Sequence, residues 1–581
     1  MDLKDLVGRG YFPKELPPPF NTRDLALEIS IILSDWVMIF ENNTQINSPT
    51  FVLTQNTTES NKNFKIRKKE HKANFISKYN SSKGTFFSIS KGKLSRRFLQ
   101  IPNPKHFSQL AEKIVSRWSD YETLFQLSKY SQSYPVLETD PRKRSVLTFS
   151  KNVSEFRNSL LNTSIDKLIE VRVDISKFYP TIYTHSIAWG LLGKEKAKNY
   201  FIQKDNIEVL INSGDTDAEL YKYAESVDTA LRACQEKQSI GIPIGPDTSH
   251  ILSEAIACRI DDIIDTRFNS INLKACRYYD DYYLYVSSKD EADKVLKGLQ
   301  LILSEFQLEI NEAKVKIHEF PFGFEDEFTQ AIHSFDFEKS KQLNNIKYYF
   351  SMLWKFAEES PNKTDWIFKY ALRVFEFSSI VIENENWKVF ENLLIKTALV
   401  EPAILDILTR IFLTYENYLN SDSKLKLKKL VNATIKEHCS VHHNFEIAWA
   451  LWISKTFDIE IEEESANQII KTKDSISNLI LLDLINNTNL IQGTPTLSLL
   501  EAELKDNILM TEYWLLAYEG VKKGWLTPPE TNLLDNNLFF KILKDKNIEF
   551  YDPTKQLQIY GTDTTSSQIP PIVNAGILSM Y

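Results

Sequence analysis

The distribution of apolar and polar positions changes near residue 325. Between about residues 170 and 320, short apolar runs alternate with amphipathic segments, a pattern typical of strands and helices in an α/β or α+β region. Beyond residue 325 glycine and proline become rare, and long segments rich in Leu, Ile, Phe and Trp have helical periodicity. These segments span about residues 341–358, 364–379, 387–399, 402–418, 424–438 and 444–457. They have no fixed repeat period, so we predict irregularly stacked helix pairs.

The first 110 residues contain a basic run and then a strand pattern. The basic residues of the run have aromatic residues interleaved: Lys62, Lys65, Arg67, Lys68, Lys69, Lys72, Lys78 and Lys83. Two interpretations remain open, a solvated loop or hairpin and a surface that binds the backbone of a single-stranded nucleic acid. The following stretch, GTFFSISKGKLSRRFLQIPNP, has strand residues on both sides of a Lys-Gly-Lys turn, which predicts a β-hairpin.

Composition limits the compartment and the kind of partner. The formal charge of −8 gives no overall basic footprint, so any nucleic acid must bind through a local patch. The 4 cysteines lack C-x-x-C spacing, which favours a reduced, cytoplasmic protein. We expect no signal peptide, because the first twenty residues lack an apolar core, and no membrane span, because no long apolar run occurs.

Two adjacent aspartates lie in the most aromatic strand pattern of the chain. In ACRYYDDYYLYVSS, Asp280 and Asp281 have strand-forming residues on both sides. Neighbouring side chains of a strand point to opposite faces, so the doublet is best placed at the turn of a hairpin. A plain surface turn would explain this stretch equally well, and the doublet alone is weak evidence for a function.

A third aspartate strengthens the evidence that the doublet has a function. Asp174 ends the apolar run VRVD about one hundred residues upstream. Phosphoryl transfer to a growing nucleic acid uses two divalent cations roughly 3.5–4 Å apart, and Mg²⁺ prefers carboxylate oxygens. We therefore predict that Asp174, Asp280 and Asp281 hold Mg²⁺, with Mn²⁺ as an alternative, and that the cations relieve the repulsion within the doublet.

The order of several motifs resembles that of the reverse transcriptases. DISKFYP, GIPIGPDTS, YYDD and LEINEAKVKI resemble motifs A, B, C and D, and SRRFLQIPNP and SYPVLETDPRKR resemble the fingers and the approach to the palm. The resemblance covers about residues 85–325. It implies an α+β fold with fingers-like residues 1–150 and a palm at 151–325, followed by an all-α, HEAT-like domain at 326–581.

The resemblance also implies roles for single residues. Asp174, Asp280 and Asp281 match the metal-binding carboxylates, and Lys314 matches a lysine that protonates pyrophosphate, with Lys316 nearly as eligible. Tyr179 matches the gate that excludes a ribose 2′-hydroxyl, which implies dNTP substrates; a packing tyrosine is the alternative. The predicted nucleotide-binding residues are Arg96, Arg97, Lys91 (or Lys93), Tyr179, Gly241, Pro243 and Gly245. A solvated hairpin tip is the alternative for the cations of this set.

Two departures from the usual pattern point to a subgroup. Ile244 stands where motif B usually has a glutamine that seats template and primer, and a helical region replaces the small thumb. This combination resembles the abortive-infection reverse transcriptases of the AbiK type, among bacterial defence enzymes. That resemblance implies template-independent DNA synthesis primed by a protein hydroxyl, a single-stranded DNA product that is covalently attached, and a homo-oligomer.

Two other functions stay open. One is a templated reverse transcriptase that uses a partner non-coding RNA, and the other is a catalytically idle scaffold that binds nucleic acid. Candidate priming hydroxyls include Tyr11, Tyr551, Tyr560 and Tyr581, with no residue preferred.

Two further clusters are not assigned a function. We do not predict zinc at His438, Cys439, His442 and His443, which lack paired ligand spacing. Asp215 and Asp217 are interpreted as part of a solvated loop.

Overall fold

The computed structural model describes residues 1–92, 95–150, 152–321, 323, 326–376, 380–505 and 507–557. Lys93, Tyr560 and Tyr581, which the sequence analysis considered, lie outside these ranges. None of the helices within them is both long enough and apolar enough to span a membrane.

The N-terminal region consists of helices around two short hairpins. Its elements are α1 (Leu3–Arg9), α2 (Arg23–Thr44), α3 (Asn61–Tyr79), β1 (Thr85–Lys91), β2 (Ser95–Ile101), α4 (Pro104–Ser116), α5 (Trp118–Phe125), β3 (Pro135–Leu137) and β4 (Val146–Thr148). β1 and β2 form the predicted antiparallel hairpin.

The basic run is a helix, so the prediction of a loop or hairpin for it is wrong. Helix α3 is capped by the Ser60 side chain, which accepts a hydrogen bond from the Asn63 backbone N–H. Lysine and arginine are good helix formers. Phe75 and Tyr79 are buried and attach the helix to the rest of the protein. Sequence reasoning missed the helix because only a few apolar residues mark its inner face.

The palm contains one antiparallel sheet in the order β6-β7-β5-β8. The elements of this region are α6 (Val153–Ser164), β5 (Ile169–Asp174), α7 (Phe178–Thr181), α8 (Ser186–Leu192), α9 (Lys194–Ile202), α10 (Ile207–Asn212), α11 (Thr216–Ala233), α12 (Asp247–Arg267), β6 (Lys274–Tyr278), β7 (Asp281–Val286), α13 (Lys289–Glu305) and β8 (Lys316–Glu319). β5 ends at Asp174 and β6 and β7 meet at the aspartate doublet, which confirms both predictions.

The C-terminal region is helical in its described residues, as predicted. Its elements are α14 (Glu327–Ser334), α15 (Gln342–Glu359), α16 (Thr364–Glu376), α17 (Asn384–Val400), α18 (Leu405–Thr414), α19 (Ser421–Cys439), α20 (Asn444–Phe457), α21 (Glu463–Thr472), α22 (Ser475–Asn487), α23 (Ser498–Glu501), α24 (Trp514–Lys522), α25 (Leu533–Asn536) and α26 (Leu538–Asp545). From α15 to α20 each helix packs against the next but one, which is a stacked arrangement. Assignment to the HEAT class stays a prediction.

The two ends of the chain pack against each other. The Trp36 indole N–H of α2 donates to the Phe539 carbonyl of α26 (3.0 Å), and the Phe20 and Tyr551 rings meet edge to face with centroids 5.0 Å apart. One continuous apolar cluster includes residues from the fingers, the palm and the helical region. The helical region therefore packs against the fingers and shares one apolar core with them.

Candidate active site

The sheet register brings the three predicted carboxylates together. Asp174, the last residue of β5, is the direct neighbour of Asp281, the first residue of β7. The Ile175 backbone N–H donates to the Asp280 carbonyl (3.0 Å), which ties the turn to the end of β5. Residues from two segments about one hundred positions apart thus meet at one end of the sheet.

The turn that presents the doublet is held in an uncommon conformation. Tyr279 has φ of +53°, in the left-handed region that aromatic residues rarely adopt. Its backbone N–H donates to the Ser133 hydroxyl (2.7 Å), and its carbonyl accepts from the Arg277 guanidinium (2.9 Å). These two contacts offset the strain and fix the direction of Asp280.

The carboxylates carry more negative charge than the local cation neutralises. Burial, followed by the charges of Asp281 and Asp174, raises the pKa of Asp280 well above its usual range. Asp174 accepts hydrogen bonds from the Lys314 ammonium (2.6 Å) and the Asn311 amide (2.9 Å). Burial alone would lower the pKa of Lys314, but the hydrogen bond to Asp174 and the nearby aspartates raise it.

This donor set fits divalent cations. Carboxylate oxygens are the hard ligands that Mg²⁺ and Mn²⁺ accept, and a divalent cation would lower the energy of three crowded carboxylates. Asp174 already binds one cationic group, the Lys314 ammonium, at 2.6 Å. Asp174, Asp280 and Asp281 are therefore the residues able to hold a metal pair, and Lys314 lies beside them as predicted.

The two adjacent arginines of β2 lie on opposite faces of the hairpin. The Arg96 guanidinium donates to both carboxylate oxygens of Glu446 in α20 (2.5 and 2.7 Å) and to the Ser88 carbonyl (3.0 Å). Its side chain is 15% exposed. Because strand side chains alternate, Arg96 faces the helical region and not the aspartates. We therefore correct the sequence interpretation and remove Arg96 from the nucleotide-binding set.

Lys91 and Arg97 lie near the aspartates. Burial, then the positive charges of Arg97 and Lys314, lowers the pKa of Lys91, while Asp280 and Asp174 act in the opposite direction. Lys91 is therefore within electrostatic reach of the metal-binding carboxylates as well as of Lys314. The Gly92 backbone N–H donates to the Asp365 carboxylate (3.0 Å), so the helical region also holds the tip of this hairpin.

Tyr179 lies against the motif B loop. Its carbonyl accepts from the Ile242 backbone N–H (3.0 Å), and its hydroxyl accepts from the Ser253 hydroxyl (3.2 Å). Burial raises the pKa of Tyr179 above its usual range, so the hydroxyl stays neutral. Tyr179 is half-buried, and its gating role stays a prediction.

The glycines of the motif B loop allow close packing against protein. Gly241 has φ of +83°, and a Cβ there would lie 3.0 Å from the Pro180 carbonyl oxygen. Gly245 has φ of +125°, and a Cβ there would lie 2.9 Å from the Pro13 ring. The sequence analysis attributed these glycines to the nucleotide, whereas the structure shows contacts with motif A and the N-terminal segment. Their contact with a nucleotide, and that of Pro243, stays a prediction.

A buried ionic network beneath the turn was missed by the sequence analysis. Arg277 of β6 forms ion pairs with Glu254 (2.7 Å) and Asp261 (2.8 Å) of α12, and the exposed fraction of each side chain is at most 1%. The hydroxyl of Tyr282 donates to Asp261 (2.8 Å), and that of Ser131 donates to Glu254. Two acidic residues on the otherwise apolar face of α12, seven positions apart, were the available signal.

The histidine cluster lies beside Glu446, and we propose no metal there. The Nδ1 atoms of His438 and His443 are 2.9 Å apart, and these two residues and Glu446 place one ligand atom each within 4.8 Å of one another. Both Glu446 oxygens already accept from Arg96, so a cation would have to displace a guanidinium. We assign no metal here.

Asp215 and Asp217 have local structural roles. Asp215 caps α11 through a hydrogen bond from the Ala218 backbone N–H (2.9 Å), and Asp217 forms an ion pair with Lys196 (2.7 Å). Asp215 is therefore a helix cap, where the sequence analysis placed a solvated loop.

Two of the candidate priming hydroxyls are enclosed. The Tyr11 hydroxyl donates to the Pro102 carbonyl, and its ring stacks on Phe107 with centroids 3.8 Å apart. The Tyr551 hydroxyl donates to the Asp483 carboxylate (2.7 Å). Both rings are fully buried. Neither hydroxyl reaches the aspartates in this conformation, which argues against both as primers.

Comparison with known proteins identifies the kind of domain that contains the three aspartates. Residues 137–348 match the family model described as reverse transcriptase (RNA-dependent DNA polymerase). This segment contains the three aspartates, Lys314 and the motif B loop. The match identifies this segment as a reverse transcriptase domain, which indicates an enzyme of the reverse transcriptase or nucleotidyltransferase type.

The similar solved structures include telomerases, and their overall similarity to this chain is low. Apo telomerase from Candida tropicalis truncated from its C-terminal domain is 13% identical with a TM-score of 0.28, over 46% of this chain and 59% of that chain. Apo telomerase from Candida tropicalis is 13% identical with a TM-score of 0.29, over 78% and 86%. Telomerase from Candida albicans in complex with a fragment of telomeric RNA is 14% identical with a TM-score of 0.26, over 67% and 66%. A search of curated proteins found no significant match.

Proposed function

We propose that this chain is a DNA polymerase of bacterial defence against phage, acting in the cytoplasm through abortive infection. It joins dNTPs without a template and starts from a protein hydroxyl, so that the single-stranded DNA product stays attached. The observation that carries the polymerase activity is the meeting of Asp174, Asp280 and Asp281 beside Lys314 in the reverse transcriptase segment. Defence, protein priming and a homo-oligomer are supported by the resemblance to the AbiK type.

The absence of a template is supported by the motif B loop. Ile244 stands where an amide would contact template and primer, and its carbonyl accepts from the Gln100 backbone N–H (2.8 Å). An apolar side chain offers no hydrogen bond to a base. A partner non-coding RNA with its own contacts would restore templated copying, which is the alternative function.

The chemistry follows from the residues at the site. Asp174, Asp280 and Asp281 would hold Mg²⁺, or Mn²⁺ in its place, and such a metal pair would supply activation of the attacking hydroxyl and charge neutralisation of the leaving pyrophosphate. Lys91 and Arg97 bind oxygens of the triphosphate. Lys314, whose ammonium lies on Asp174, would give a proton to the pyrophosphate oxygen as the bond of that oxygen to the α-phosphorus breaks. The oxygen of the attacking hydroxyl forms the new bond to the α-phosphorus, and the proton of that hydroxyl passes to water.

Self-labelling is the test of this proposal. The purified full chain is incubated with Mg²⁺ and α-labelled dNTPs without nucleic acid, and the product is separated on a denaturing gel before and after nuclease and protease treatment. We expect label on the protein band that nuclease removes in part and protease releases. The Asp280→Asn variant serves as the matched control and should stay unlabelled.

Each other outcome selects a different function. Copying of an added RNA template-primer without self-labelling selects the templated enzyme. Defence that persists in an Asp280→Asn, Asp281→Asn variant selects a scaffold that binds nucleic acid without catalysis. The mass of the native particle tests the homo-oligomer, and a monomer at working concentration would overturn that part.

A further inference from the structure

Helix α3 presents a face of lysines that the proposed chemistry does not use. Lys62, Lys65, Lys69 and Lys72 are spaced by three, four and three residues, which places them on one face of the helix over about 15 Å. Lys62, Lys65 and Lys69 are exposed and Lys72 is half-buried. Among the described residues none of the four forms an ion pair. We call this set the lysine face.

The other cations of the helix are already engaged. The Arg67 guanidinium pairs with the Glu59 carboxylate (2.7 Å), and the Lys68 ammonium donates to the Ile46 carbonyl (2.8 Å). Glu70, the only acidic residue of α3, is more than a quarter turn away from the lysine face. The helix thus separates its structural cations from a face whose charge is not neutralised locally, in a protein of net charge −8.

A groove adjoins this face. A cavity of about 780 Å³ opens between α2, residues 45–48 and α3. Lys72 lines it together with one aromatic ring, three amides and one carboxylate: Phe40, Gln45, Asn47, Gln109 and Glu41. Phe40 is 42% exposed. The groove therefore offers a surface for stacking and hydrogen-bonding groups for a base, and it shares one cation with the lysine face.

We propose that the lysine face and this groove bind a single strand of nucleic acid, with phosphates on the lysines and a base against Phe40. Unneutralised cations beside an accessible aromatic ring are the combination that binds single strands without sequence preference. The volume of the groove lies within the range of small-molecule sites, roughly 300–1,000 Å³. The inference deepens the proposed function, because the occupant is the strand that the enzyme makes.

The site is fixed to the fingers. Phe75 and Tyr79 of α3 contact the Phe539 ring, with centroids 6.0 and 5.1 Å away. Six residues after Tyr79 the chain enters β1, which leads to Lys91. A strand held here is therefore held by the same body that carries the cations of the active site.

Binding by the full chain tests the proposal. The anisotropy of a labelled 20-nucleotide oligo-dT is measured over a range of salt concentrations for the wild type and for the triple variant Lys62→Gln, Lys65→Gln, Lys69→Gln. The slope of log Kd against log salt should fall by about 2, because about 0.7 counterions are released for each phosphate contact on a single strand. The control is Lys355→Gln, Lys388→Gln, Lys396→Gln, which removes the same charge from the helical region and should keep the wild-type slope.

Phe40 tests the groove separately. Phe40→Leu keeps an apolar side chain but removes the stacking ring, and it should weaken oligo-dT binding about tenfold without changing the salt slope. The proposal is overturned if the triple variant at Lys62, Lys65 and Lys69 keeps the wild-type salt slope. It is also overturned if the control variant at Lys355, Lys388 and Lys396 loses as much affinity for oligo-dT as the triple variant does. Binding to vesicles with anionic lipid in preference to oligo-dT also overturns it and assigns the face to a membrane surface.

The test is independent of the polymerase assignment. If the wild type lacks self-labelling but binds oligo-dT through the lysine face, the proposed function fails while this site stands. If self-labelling is normal and the lysine variant makes products as long as those of the wild type with the same salt slope, the site fails while the function stands.

Discussion

Two groups of charged residues lie at one hairpin of the palm, and they differ in the partners of their carboxylates. Beneath the turn, Glu254 and Asp261 surround Arg277, and hydroxyl groups donate to both carboxylates. Beyond the turn, Asp174, Asp280 and Asp281 lie close together, with the Lys314 ammonium on Asp174. The first group is a closed ionic network inside the protein. In the second, Asp281 and Asp174 together with burial raise the pKa of Asp280, and a metal pair would relieve this repulsion.

The difference shows how one hairpin serves both stability and chemistry. Arg277 binds the carboxylates of α12 and also the Tyr279 carbonyl, so the buried ionic network holds the turn that carries Asp280 and Asp281. A buried ion pair adds little net stability by itself, but it is costly to break. Its use here is to fix the position of Asp280.

The largest expected effect comes from neutralising the three aspartates of the candidate metal site. Asp174→Asn, Asp280→Asn and Asp281→Asn should each reduce nucleotide incorporation to background, because a neutral amide does not hold a divalent cation in place of a carboxylate. Thermal unfolding should show a Tm no lower than that of the wild type for Asp280→Asn, since the substitution removes repulsion. Incorporation near the wild-type rate would contradict the metal site.

Breaking the buried ionic network should act on stability first. Arg277→Met leaves two buried carboxylates without their cation, and we expect a loss of about 3–5 kcal/mol in the free energy of unfolding. Urea denaturation measures it. Arg142→Met is the matched control, because Arg142 is exposed where it pairs with Asp140 and the expected loss is below about 1 kcal/mol. Equal losses in the two variants would refute the distinction.

Arg96 and Arg97 repeat the comparison on a smaller scale. A double-mutant cycle of Arg96→Ala and Glu446→Ala should give a coupling of about 0.5–3 kcal/mol in unfolding. Compared with Arg96→Ala, Arg97→Ala should lower the free energy of unfolding less and raise the KM for dNTPs more. A larger rise in KM for Arg96→Ala than for Arg97→Ala would return Arg96 to the triphosphate site.

The smallest expected effect is a shift in the pH at which activity is half lost on acidification. Because the pKa of Asp280 is raised in the folded protein, protonation competes with the metal at a pH above the usual range of an aspartate. Activity should therefore fall on acidification, and a tenfold higher Mg²⁺ concentration should move the midpoint to lower pH by up to about 1 unit. The pH profile of initial rates at two Mg²⁺ concentrations measures this. A midpoint that stays constant would contradict competition between proton and metal.

Local patterns were enough to predict the ends of the catalytic strands. Asp174 follows an apolar run and the doublet interrupts an aromatic one, so both positions were readable from the sequence. The face of the hairpin to which Arg96 points could not be predicted from the sequence, because Arg96 and Arg97 fit the motif equally well. The contact with Glu446, 350 residues later in the chain, is what distinguishes them. Arg277 was missed for the same reason, since its partners lie on another element.

The pairing of Trp36 with Phe539 has a consequence for biosynthesis. Helix α2 emerges from the ribosome roughly five hundred residues before the segment that covers its apolar face. Until α26 has been translated, Trp36 has no cover from Phe539, and such exposed apolar surface attracts chaperones or neighbouring nascent chains. A shortened chain that lacks α26 should therefore accumulate in inclusion bodies even though every motif of the palm is intact.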